Sequence, residues 1–228
     1  MKKNYLFKLD LKLLNIFSIL ILVFCLVFTF LLFPSSMLGI VAIFDNTKEL
    51  FLMLPLLLFY FILHELLHAL GYILNGADPK KITFGMEVEK SVLYCLCKQN
   101  VSKKNILFSL MYPLFFIGIV TYIISIVFDF PLLLLLSIAN ISGAAGDIMY
   151  FLFIMKLDKD IQYSEMDDGT SFVIISKKNI DNIKHPGIIY EGIIDEIPRN
   201  DFRRIFISKP SIIVIVIFLV ALIIGLLI

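Results

Sequence analysis

The sequence predicts an all-α membrane protein of about five transmembrane helices, with small β-rich segments on its cytoplasmic side. Three observations predict it. The chain is 60% hydrophobic and only 17% charged, whereas an ordinary soluble domain is about one-quarter charged. Several apolar runs approach or exceed the roughly 20 residues needed to cross a hydrocarbon core. Lysine and arginine fall on alternate connections between those runs, as the preference of basic loops for the cytoplasm dictates.

The first run covers 13–33, behind Lys2, Lys3, Lys8 and Lys12. Its apolar core is too long for a signal peptide, and Pro34-Ser35-Ser36 is a poor cleavage site, so 1–33 reads as an N-terminal anchor helix. Further spans are read at 50–74, 106–128 and 132–155, and a last one at 211–228, within a C-terminal helix over 210–228. The connection 75–105 carries six lysines and the segment 156–210 carries nine basic residues, while 34–49 has only Lys48 and 129–131 has none. Five spans with the N-terminus inside and the C-terminus outside satisfy this alternation. The expected location is the cell membrane of a bacterium.

The inside segments carry strand signals. Residues 81–89 and 91–97 read as two short strands, a hairpin against the membrane face, and 170–176 reads as a strand after the turn Asp167-Asp168-Gly169. Residues 50–155 form the expected membrane core, and 156–209 a cytoplasmic appendage. A net charge of +1 gives no reason to expect a nucleic-acid partner. Cys25, Cys95 and Cys97 make neither a disulfide framework nor a zinc knuckle.

One stretch carries chemistry: His64-Glu65-Leu66-Leu67-His68, an H-E-x-x-H motif inside the second apolar run. On a helix the two histidines stand four residues apart, so both imidazoles leave one face and can bind one metal ion. Glu65 then reaches a metal-activated water as general base. Ionisable groups inside a membrane are costly and each needs a reason. Within the spans the only other acid is Asp147, which makes it the candidate third ligand, since catalytic zinc takes three protein ligands and keeps one position open. Leu66 and Asp147 each lie eight residues before the cytoplasmic end of their spans, so at ~1.5 Å per residue both sit roughly 12 Å deep.

Asn140, two turns before Asp147, either donates to a substrate carbonyl or oxyanion or makes an interhelical hydrogen bond. Between the two lies Ser142-Gly143-Ala144-Ala145-Gly146, small enough for close helix approach and a bend at the metal. Pro113 marks a kink in the third span.

The pattern resembles two related groups. The wider is the site-2 protease class of intramembrane zinc metalloproteases, with H-E-x-x-H on one membrane helix and an Asp near an Asn on a later one. The closer is a family of small bacterial membrane proteins described as putative zincin peptidases. The resemblance rests on His64 to Gly71, on Pro113, and on Asn140 to Asp147, and covers roughly residues 50–155. The site-2 class usually has Asn-x-x-Pro and Asp-Gly, where this chain has Gly146-Asp147-Ile148 and no proline after Asn140. The resemblance implies Zn2+ held by His64, His68 and Asp147, with Glu65 as acid and base, acting on a membrane-associated peptide or protein. Two other readings remain open: an inactive scaffold or peptide-binding protein with a structural metal site, and a metal transporter, against which the single polar cluster and missing inverted repeat argue. Nothing in the sequence sets the oligomeric state.

Overall fold

The computed structural model describes residues 2–87 and 92–197. Its elements run β1 (Lys3–Leu9), α1 (Leu11–Leu32), α2 (Pro34–Asp45), α3 (Thr47–Leu74), β2 (Ile82–Glu87), β3 (Val92–Cys97) and β4 (Val101–Ser102). They continue as α4 (Lys103–Pro113), a π-helical stretch Leu114–Val120, α5 (Thr121–Val127), α6 (Pro131–Gly143), α7 (Ala145–Met155), β5 (Gln162–Glu165), β6 (Ser171–Ser176) and β7 (Ile188–Ile194).

The expectation of an all-α chain with five membrane helices is overturned. A five-stranded antiparallel sheet in the order β4-β5-β6-β1-β7 stands beside the helices, with β2 and β3 as a separate hairpin. Among the described residues three helical stretches are long and apolar enough to cross a membrane: Leu11–Leu32, Thr47–Leu74 and Lys103–Val127. The fourth expected span is broken, α6 and α7 meeting at a bend of 44°. The fifth, 211–228, lies outside the described residues. Residues 34–45, read as a connection, form the apolar helix α2, which at 12 residues is too short to cross alone.

The sheet was hidden for a physical reason. One of its inner strands, β1, lies at the N-terminus. In β1 Tyr5, Phe7 and Leu9 are buried and alternate with half-buried Asn4, Leu6 and Lys8, the period of two that a strand requires. Lys3 and Lys8 make the same residues look like the basic flank of an anchor. Strand β1 pairs with β6 and β7, with Phe7 opposite Phe172 and Tyr190. Phe7 also packs on Phe153 of α7 at 4.9 Å, which joins sheet and helices in one core.

The pairing constrains the path of the chain. β1 precedes α1, β4 follows α3, and β5 follows α7, yet all three lie in one sheet. If the long helices cross a bilayer, each pair of these strands must be separated by an even number of crossings. Helices α1 and α3 make two. On that premise the stretch α4–α5 and the bent pair α6–α7 would make two more, the bent pair being the fourth crossing.

Three of the helices begin with a side-chain cap. The Asp10 side chain accepts from the Lys12 and Leu13 amides at the start of α1, Asn46 caps α3, and Ser102 caps α4, each satisfying backbone donors that a helix start leaves free. Phe24, Leu31 and Phe51 are among many large apolar side chains left exposed on the helices, as a lipid-facing surface requires.

Candidate metal centre

One face of α3 builds the site. Phe61, His64, Glu65, His68 and Tyr72 line a common cavity, and their spacing of three and four residues is the repeat of a single helix stripe. The opposite wall comes from Asn140, Gly143, Gly146, Asp147 and Tyr150, again one stripe running through the α6–α7 bend. β3 and β5 close the cavity toward the sheet through residues such as Cys95 and Glu165. Its volume is about 330 Å³.

Three potential ligand atoms converge. His64 Nε2 stands 3.1 Å from His68 Nε2 and 3.1 Å from Asp147 Oδ2, and His68 Nε2 stands 3.4 Å from Asp147 Oδ1. Zinc ligands bonded at ~2.0–2.2 Å around a tetrahedron lie about 3.3 Å from one another, so these separations fit one ion among the three. The carboxylate of Glu65 lies with both imidazoles inside a 4.8 Å group, close enough for a water between them.

The hydrogen bonds behind the imidazoles fix which atoms face inward. His68 Nδ1 lies 2.9 Å from the Ser109 carbonyl, which only accepts, so Nδ1–H donates and Nε2 presents its lone pair to the centre. Asn140 Nδ2 donates to the Pro113 carbonyl at 3.3 Å, which turns its Oδ1 toward His64 Nδ1 at 2.9 Å. His64 therefore donates from Nδ1 and also presents Nε2 inward. Two imidazole lone pairs and a carboxylate then meet within 3.4 Å, an arrangement that repels itself unless a proton or a metal ion stands between them. No lysine or arginine among the described residues lines the cavity. The donor set and its spacing both fit a zinc-like ion.

Asn140 sits in an interhelical hydrogen bond, with its oxygen on a candidate ligand. The π-helical stretch after Pro113 lies against it: a methyl group added at Gly118 would come within 3.3 Å of Asn140 Nδ2. Asn140→Ala should weaken metal binding by roughly 10–100-fold through the loosened His64, and Asn140→Asp, which keeps an acceptor, should recover most of it; chelator competition reads both.

The α6–α7 break falls at Ala144, with φ −73° and ψ 10°. Gly143 and Gly146 have no positive φ, so the bend does not use their backbone freedom. Their smallness keeps the wall clear: a Cβ at Gly143 would meet nothing within 4 Å. Asp147 lies in the first turn of α7, where the helix dipole favours a negative charge.

Residues 57–161 match a family described as putative zincin peptidase. The matched segment runs from the middle of α3 to the approach of β5, and so includes His64, Glu65, His68, Asn140 and Asp147. No curated protein and no solved structure matches the chain.

Sequence reasoning missed three contributors. Ser109 acts through its backbone carbonyl, which no side-chain pattern reveals. Tyr72, one turn past His68, was legible as the next residue on the stripe. Glu165 was not legible, because its strand lies in a polar stretch without strand periodicity. Its Oε1 accepts from Tyr72 Oη at 2.8 Å and its Oε2 from the Cys97 amide at 2.7 Å. Burial pushes its carboxyl up to about 7, against the lowering effect of those two donors.

Proposed function

We propose that this protein is a membrane-embedded zinc metalloendopeptidase, of the site-2 type in the placement of its chemistry, that hydrolyses a peptide bond of a membrane-associated substrate. The observation that carries the reading is the convergence of His64 Nε2, His68 Nε2 and the Asp147 carboxylate at 3.1–3.4 Å beside the carboxylate of Glu65. His64, His68 and Asp147 hold the ion. Zinc bound there supplies Lewis acidity, which polarises a carbonyl and acidifies water toward a pKa of ~7.

The chain's own residues do the rest. Glu65 takes the proton of the attacking water and later delivers it to the departing amine, as one carboxylate can do in succession. The backbone N–H of Cys95 faces that carboxylate from β3 and helps hold it. The apolar stripe of α3 and the helices around it keep bulk water from the reaction, which strengthens each electrostatic contact. The basic residues at 75–105 and 156–197 favour the sheet side as the cytoplasmic one, so the cavity mouth opens there, where bundle and sheet meet.

The deciding test is metal content of the purified protein beside His68→Ala and Asp147→Ala. About one zinc per wild-type chain is expected, with a marked loss in both variants. Full zinc in Asp147→Ala would remove that residue from the ligand set. Zinc retained without hydrolysis of any membrane peptide would favour a structural metal site in a scaffold protein instead.

A further inference from the structure

Glu165 has no part in the hydrolysis just described, yet it lines the same cavity as the metal centre. It reaches that position from the end of β5, outside the H-E-x-x-H helix and outside the matched segment. Tyr72, its partner on α3, stands one turn beyond His68 on the same stripe, roughly 5.4 Å along the helix axis. A group bound at Glu165 would therefore sit next to the metal centre.

Charge in the cavity does not balance without something more. The wall carries three carboxylates, Glu65, Asp147 and Glu165, and no lysine or arginine among the described residues. A divalent ion between neutral imidazoles offsets two of them, leaving Glu165 over. No described lysine or arginine forms an ion pair with it. Its two donors, the Tyr72 hydroxyl and the Cys97 amide, are neutral. They aim the carboxylate without cancelling its charge, and each oxygen keeps a lone pair. A largely desolvated charge in this state is costly; that cost raises the carboxyl pKa to about 7, and a cation bound beside it would hold the group ionised. A structural tie between α3 and β3 needs only a neutral acceptor, so it leaves the charge itself without a use. Tyr72, Tyr150 and Tyr163 also line this end of the cavity, and a carboxylate beside aromatic rings is the chemistry that receives ammonium or guanidinium groups.

We propose that Glu165 forms a cation-binding subsite of the peptidase cavity, taking a positively charged group of the substrate next to the scissile bond. This rests on the peptidase reading above. The group is either the side chain of a basic residue or a free amino terminus, which share the same cationic chemistry.

The test uses full-length, zinc-loaded protein that keeps Glu65, so that the charge of the cavity is unchanged, with peptides N-methylated at their backbone amides so that bound peptide is not consumed. Four fluorescent alanine-rich peptides are compared by anisotropy: a central lysine or norleucine, each with a free or acetylated amino terminus. The expected result is that one cationic feature tightens binding by about tenfold to a hundredfold, as a charge-assisted hydrogen bond does. Adding Glu165→Gln should reduce that preference to about twofold or less while zinc content stays the same. Loss of the preference on acetylation assigns the subsite to an amino terminus, and loss on norleucine substitution assigns it to a side chain. Equal binding of all four peptides by the Glu165-containing protein, absence of binding, or a preference that survives Glu165→Gln would overturn the proposal. The four-peptide comparison needs no change at Glu165, so a misfolded Glu165→Gln protein does not shield the idea. Zinc content, measured in parallel, separates failure of the subsite from failure of the metal centre.

Discussion

Glu65→Gln should lower the rate of peptide hydrolysis by about 10²–10⁴-fold, the contribution of a positioned general acid and base, while zinc content stays at the wild-type level. The substitution keeps the size of the side chain and removes its basicity. Glu65 is not one of the three groups whose atoms meet at 3.1–3.4 Å, so the ion keeps its ligands. Its carboxylate stands beside them, within the 4.8 Å group formed with the two imidazoles, near enough to serve a water held there. Hydrolysis of a fluorogenic membrane peptide, read alongside metal analysis on the same samples, checks both halves. A fully active Glu65→Gln protein would end the proposed mechanism. A loss of zinc in parallel with activity would move Glu65 from base to ligand.

Gly71→Val should damage the metal centre without touching a polar side chain. A Cβ at Gly71 would stand 2.6 Å from the Ser109 Cα and 3.2 Å from its backbone nitrogen, so α3 and α4 must separate to admit one. That approach carries two reciprocal bonds, His68 Nδ1–H to the Ser109 carbonyl at 2.9 Å and Ser109 Oγ to the His68 carbonyl at 2.8 Å. Overpacking of this kind costs about 1–3 kcal/mol or more, and the freed imidazole loses the partner that fixes its tautomer. The expected outcome is a lower melting temperature together with weaker zinc binding by chelator competition. Gly143→Ala is the matched control: it lines the same cavity, and the added methyl meets nothing within 4 Å. Equal effects from the two substitutions would show that the tight α3–α4 contact is not what holds His68.

The spans were legible where apolar runs were unbroken. Residues 50–74 and 106–128 were expected as helices, and helices cover Thr47–Leu74 and Lys103–Val127. The hairpin was legible too, from alternation over 81–97, although 88–91 lies outside the described residues. Of the five-stranded sheet only β6 was legible, as the strand expected at 170–176 and found at Ser171–Ser176. Strand β1 carries its own period of two in Tyr5, Phe7 and Leu9, but two lysines beside an apolar helix resemble a membrane flank more strongly. β5 is only Gln162–Glu165, a short strand that is stabilised by β4 on one side and β6 on the other. Its propensity alone does not mark it, because strand preference reports packing against neighbours more than any local property.

The sequence by itself determined the two imidazoles on one helix stripe, the acid beside them, and the apolar helices that carry them, because each follows from spacing along one continuous segment. Sequence also nominated Asp147 and Asn140, from the cost of polar groups within apolar runs, but tertiary structure decided where they stand. It brought Asp147 to 3.1 Å from His64 across 83 positions of chain, set Asn140 behind His64, and turned the Ser109 carbonyl onto His68. It also folded the amino terminus between β6 and β7 of a sheet that delivers Glu165 to the cavity. These placements depend on contacts between segments far apart in the chain, and no local pattern encodes such contacts until the helices and strands have packed.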